Sequence, residues 1–254
     1  MNNPFSGPVI KIQRARKHLA ELEEEAAAFN RQNPMIVSAG VSNQPPGLWF
    51  RCETPFPGAR EEWGAVVGDV IHNLRTALDL TACALARVNG HDADDVYFPF
   101  CRSADDLGNM IKSRKFHLAG EGAVAFLREL KPYHGGNFAL RAIHDLDVRD
   151  KHQSLISTAT SIISPGMQMW DKDGRYNPAI VGESTIASDI IMTFPAGASF
   201  QGLGIIPTLH ELVQLVTGIV EAFAALVGHP LTDRSENAAV VSIIQGGNLT
   251  THTI

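Results

Sequence analysis

The stretch EEWGAVVGDVIHNLRTALDLTACALARV (residues 61–88) decides what kind of chain this is. Placed at 100° per residue, Val66, Val67, Val70, Ile71, Leu74, Ala77, Leu78, Leu80, Thr81, Ala82, Ala84 and Leu85 cover roughly 200° of a helix circumference. Asp69, His72, Arg75, Thr76 and Asp79 share the remaining arc. Alternating acid and base on an otherwise apolar helix is costly to bury unless a neighbouring segment supplies partner groups. The stripe therefore marks where a polar site should form.

Outward from this helix, residues 8–31 read as a first amphipathic helix, with Ile10, Ile12, Leu19, Leu22 and Ala26 among charged residues and Asn33-Pro34 as its stop. Residues 35–54 turn extended around Gln44-Pro-Pro-Gly and predict a hairpin. Asn89-Gly90 supplies a C-terminal stop for the 61–88 helix. After Tyr97-Phe-Pro-Phe come helical patterns at 104–112 and 121–130, the second halted by Pro132, and then at 138–152. Beyond that point the pattern changes. Residues 155–163, 167–170, 185–194 and 199–206 are β-rich runs separated by turn sequences, which predicts an antiparallel meander. Residues 207–227 predict a closing amphipathic helix, and 231–254 a loose tail. The expected fold class is α+β: an N-terminal helical bundle with a small hairpin over 1–153, then a meander and helix over 154–230 packed on that bundle.

Composition bounds the function. The 254 residues suffice for a full core, and the net charge of −6 offers no global positive field for nucleic acid or an anionic membrane. Three cysteines, Cys52, Cys83 and Cys101, without CxxC spacing, predict reduced thiols. The first residues lack a basic stretch followed by an apolar one, and Glu211, Gln214 and Glu221 interrupt the longest apolar run. A cytoplasmic protein with no membrane partner is the expectation. Asp171-Lys-Asp-Gly lacks the later ligands of a calcium loop and reads as a β-turn.

The 138–152 segment carries a second polar stripe, with His144, Asp147 and Lys151 on one face and Arg141, Asp145 and His152 on an adjacent one. Two such helices should zip together, Arg75 pairing with Asp147 or Asp150 and Asp79 with Lys151. On that basis the candidate catalytic residues are His72, Arg75, Asp79, Lys151 and His152. The candidate binding residues are Asp69, Asn73, His144, Asp147 and Asp150.

His72-Asn-Leu-Arg-Thr-Ala-Leu-Asp79 and Asp147-Val-Arg-Asp-Lys-His-Gln-Ser-Leu155, with Tyr97-Phe-Pro-Phe between them, resemble a group of uncharacterised bacterial proteins with HNLRSALDH-like, FPI-like and DKHR-like motifs. That helix in turn resembles the R-x4-6-H signature of HEPN proteins, helical bundles that include metal-independent ribonucleases working at dimer interfaces. The resemblance implies RNA, a nucleotide or a protein as partner, a homodimer as one assembly, and no cofactor. The chain departs from the signature where it matters: Leu80, Thr81 and Ala82 occupy the positions at which the histidine should follow Arg75. Acid/base chemistry would need His72 or His152 instead.

The expectation is thus a non-catalytic HEPN-like binding protein with a polar inter-helix site. One alternative is a HEPN-like ribonuclease. Another is a helical metal-dependent hydrolase, since His144-Asp145 resembles the ligand pair of HD phosphohydrolases and His72, His144 and His152 could gather at one bundle end. No metal is assigned.

Overall fold

The computed structural model describes residues 3–43, 46–52, 60–152, 159–163 and 184–231. In chain order these form α1 (Ser6–Gln32), β1 (Met35–Asn43), β2 (Pro46–Cys52), α2 (Glu61–Val88), α3 (Leu107–Ser113), a 3₁₀ turn (Phe116–Ala119), α4 (Glu121–Leu130), α5 (Phe138–His152), β3 (Ala159–Ile163), β4 (Ser184–Thr193) and α6 (Ile205–Leu226). Helix dominates the described residues.

Local chemistry explains the helix ends. After α2, Gly90 takes φ +79°, and the His91 amide reaches back to the Ala86 carbonyl while that of Gly90 reaches Arg87. This left-handed closure favours glycine because residues with a Cβ rarely adopt such a positive φ, although the space around Gly90 is open. Gly228 closes α6 the same way, with the His229 amide donating to Ala224. At the start of α5, Asn137 Oδ1 accepts the Leu140 amide at 2.9 Å and serves as N-cap.

Two compact units divide the chain, and neither is one continuous stretch. The first draws on Met1–Ala20, Gly64–Ile156 and Ile206–Ile254; the second on Glu21–Trp63 and Ser157–Ile205. In the first, α6 belongs with α2 to α5. Its Leu209, Leu212, Val216, Ile219, Val220 and Phe223 are buried. Phe223 meets Phe98, Phe116 and Phe126 edge to face at 6.4, 6.0 and 4.9 Å. Length and hydropathy alone would let α6 cross a membrane, which corrects the expectation that Glu211, Gln214 and Glu221 make it too polar. Its burial is that of a core helix.

The second unit holds one sheet of order β2-β1-β4-β3, every pair antiparallel. β4 is shared between two neighbours. Its residues 184–188 pair with β1, Met35 opposite Ser188, whereas 189–193 pair with β3, Ile163 opposite Asp189. Where β1 stops, the Asn30 carboxamide of α1 takes over. Its Nδ2 donates to the Ile190 carbonyl at 3.0 Å and its Oδ1 accepts the Ile190 amide at 3.2 Å. A side chain thereby satisfies backbone groups that a strand would otherwise cover.

The expected fold, an N-terminal bundle followed by a C-terminal β-meander, is corrected on two counts. The described chain is mainly helical, and the 35–52 hairpin joins β4 and β3 in one sheet through β1. The run at 199–206 is no strand: Phe200 and Gly202 adopt left-handed φ of +63° and +78°, and α6 starts at Ile205. Alternating apolar residues there belong to turns, since positive φ cannot continue a strand. The runs at 167–170, the Asp171 turn and the tail beyond 231 lie outside the described residues.

Candidate functional site

Three contacts set α2 against α5. A Cβ on Gly68 would lie 2.6 Å from both Asp150 carboxylate oxygens. His72 meets Asp147, and Arg75 meets His144. Rising numbers on α2 meet falling numbers on α5, so the helices run antiparallel, with Gly68 as the point of close approach. The stripes therefore do face each other, in a register about one turn from the expected pairing.

The first cluster centres on Asp147, whose side chain is 7% exposed. Its Oδ1 lies 3.0 Å from His72 Nδ1, and its Oδ2 accepts from Lys151 Nζ at 2.8 Å. The His72 and Lys151 side chains are 43% and 41% exposed. Thr76 Oγ1 donates to the His72 carbonyl at 2.8 Å and sits 3.5 Å from His72 Nε2. A buried carboxylate thus orients an imidazole whose other nitrogen is reachable. That arrangement can hold a proton or orient a ligand.

The second cluster, one turn along α2, is built differently. Arg75 Nη1 approaches Asp79 Oδ2 to 2.5 Å, though out of line for a hydrogen bond. Its Nε points at His144 Nδ1 at 3.5 Å, and its guanidinium carbon lies 4.6 Å from the Phe100 ring centre. His144 stacks on the same ring at 4.8 Å and 11°. Burial, then the positive charges of Arg75 and Arg141, lower the His144 pKa to about 4. With Nδ1 accepting, the proton of this neutral imidazole belongs on Nε2. Asp79 Oδ1 accepts the Phe98 amide at 2.9 Å, which ties the 97–100 segment to α2.

Arg141 is fixed in turn. It donates to both oxygens of Asp145, at 3.3 and 2.6 Å, and to the Cys101 carbonyl at 3.0 Å. Arg75, His144 and Arg141 border a cleft of about 500 Å³, together with Phe98, Phe100, Arg102 and the α3 side chains Asn109, Met110 and Ser113. Burial raises the pKa of the Cys101 thiol in its wall, and likewise that of Cys83, so neither thiol is activated as a thiolate.

The remaining expected site residues fall elsewhere or partner differently. Asn73 turns to α1, accepting from Lys11 Nζ at 3.3 Å, and Asp69 is exposed. Arg75 bonds neither Asp147 nor Asp150, and Asp79 does not meet Lys151: their partners are Asp79 and His144, and Arg75 and Phe98. The His152 side chain lies outside the described residues. Leu80 comes within van der Waals reach of the Gly7 position on α1, so the place of the HEPN histidine looks away from the α5 side. Among the described residues no group of three His, Cys, Asp or Glu is placed to hold a metal ion. Sequence reasoning missed Phe100, Arg102 and Arg114 as site residues. The Phe-Pro-Phe run was the visible signal for Phe100, because two aromatics around a proline between polar helices must pack on something, whereas nothing in the sequence singled out the two arginines. Comparison with protein-family models, curated proteins and solved structures finds no match.

Proposed function

We propose that this chain is a non-catalytic, HEPN-like binding protein whose polar inter-helix site serves RNA, a nucleotide or a protein partner. The observation that carries this is the commitment of Arg75. It is only 12% exposed, ion-paired with Asp79, with its Nε directed at His144 and its guanidinium against the Phe100 ring. General acid/base catalysis needs a titratable group within hydrogen-bond reach of the reacting oxygen. The nearest imidazole to Arg75 is His144, which burial keeps neutral with its Nδ1 facing the guanidinium.

A ribonuclease is the second reading, and one observation favours it. The His72–Asp147 pair has the form of an oriented general base, with an exposed imidazole on a buried carboxylate. Labelled RNA incubated with the protein and a chelator separates the two. Absence of cleavage, by the natural sequence and by His72→Ala alike, is the expected result. Cleavage by the natural sequence that His72→Ala abolishes would overturn the binding reading. Leu80→His should not create cleavage, because that position neighbours α1.

A further inference from the structure

The cleft carries two cations that the helix stripes do not use. Four arginines and one aspartate line it, and of these Arg75 and Arg141 are already held by Asp79 and Asp145. Arg102 and Arg114 are exposed, and no carboxylate among the described residues pairs with either. Arg114 lies 5.7 Å from the centre of the Tyr97 ring. The lining carboxylate, Asp106, accepts the Ser103 hydroxyl at 2.8 Å.

We propose that this cleft binds a small molecule bearing two phosphate groups, whose anionic groups are held by Arg102 and Arg114 on either side of α3. The inference deepens the binding reading and rests on it for a site without turnover. A guanidinium presents a planar fork of donors that matches phosphate oxygens in pairs. Arg102 precedes the seven-residue α3 and Arg114 follows it, and both line the one cleft, so a ligand with two anionic groups can meet both where a single carboxylate cannot. Asn109 and Ser113 offer neutral polar groups between them, and Met110 and Phe98 offer apolar surface to the ligand's carbon skeleton. The neutral His144 can donate through Nε2 without adding charge. Concave volume argues for a small molecule over a nucleic acid strand: about 500 Å³ lies inside the usual range for ligand pockets. The chain's net charge of −6 also weakens attraction for a long polyanion.

Calorimetric titration at low ionic strength tests this with pyrophosphate, ADP and a sugar bisphosphate, against adenosine and a neutral sugar. All three phosphate compounds should bind and the neutral ones should not. Arg102→Ala and Arg114→Ala should each weaken binding about tenfold, the loss of one charged hydrogen-bonding group. Arg128→Ala, an exposed arginine of α4 outside the cleft, should leave affinity unchanged. Equal weakening by Arg128→Ala, or adenosine binding as tightly as ADP, would overturn the proposal. Failure of every phosphate compound while an RNA oligonucleotide still binds would overturn it too, but spare the binding reading. Arginine-dependent consumption of the bound phosphate compound would do the opposite, leaving the cleft assigned and the non-catalytic reading lost.

Discussion

The Asp147 and Phe100 clusters sit one helical turn apart on the same pair of helices, yet they answer the same problem in opposite ways. At Asp147 a buried carboxylate meets two cation-forming side chains that reach solvent. At Phe100 a nearly buried guanidinium and an imidazole share one aromatic ring, and the imidazole gives up its charge. Opposite charges need only one buried member, because the exposed partners keep part of their hydration. Two bases in one buried place cannot both be charged, so the one with the lower affinity for protons stays neutral.

The largest break in this comparison should come from Phe100→Ala. The ring is 6% exposed, and its loss leaves a cavity beside Arg75 and His144, at a cost of about 3–5 kcal/mol in chemical denaturation. A loss below about 1 kcal/mol would show that the ring does not hold the pair.

Acid should sharpen the contrast next. His144 takes up a proton near pH 4 when folded and near 6.5 when unfolded. The unfolded chain therefore binds more protons between these values, so this group's contribution to stability falls as pH drops from about 6.5 towards 4, then levels off. Denaturation midpoints measured across that window should lose this component in His144→Gln, which keeps an acceptor for Arg75 without a titrating ring. An unchanged pH profile in that variant would place the titration elsewhere.

Asp147→Asn should cost least, about 1–2 kcal/mol, because His72 and Lys151 can return to water when the carboxylate charge goes. A cost above that of Phe100→Ala would reverse the ranking of the two clusters. Equilibrium unfolding of both variants under one condition decides it.

Much of the helical framework was legible in advance. α2, α4 and α5 occupy the ranges that periodicity and end signals indicate, because Asn89-Gly90 and Pro132 act on their own turn of backbone, while the Asn137 cap of α5 emerged only in the structure. The stripes were legible too, and both clusters use residues from them. Their partners were not. Periodicity gives the angle of Arg75 about its helix axis but says nothing of how far α5 slides along α2, and that slide is set where Gly68 lets Asp150 approach. One turn of offset exchanged Asp147 for His144 as the neighbour of Arg75.

The sheet and the cleft belong to the same class of long-range outcomes. Alternation along 35–52 and 185–194 marks strands, but not that β1 pairs with the first half of β4 and β3 with the second, joined by an Asn30 side chain. Arg102 and Arg114 look like ordinary surface charges in the sequence, and only the packing of α3 and the 97–100 segment puts both on the cleft that Arg141 borders. By itself the sequence determined helix ends, stripe positions and an acidic balance, because caps, turns and charge act over a few residues or simply add. Tertiary structure decided register, strand partners and the arginine-lined cleft, because those depend on which surfaces from distant parts of the chain exclude water together.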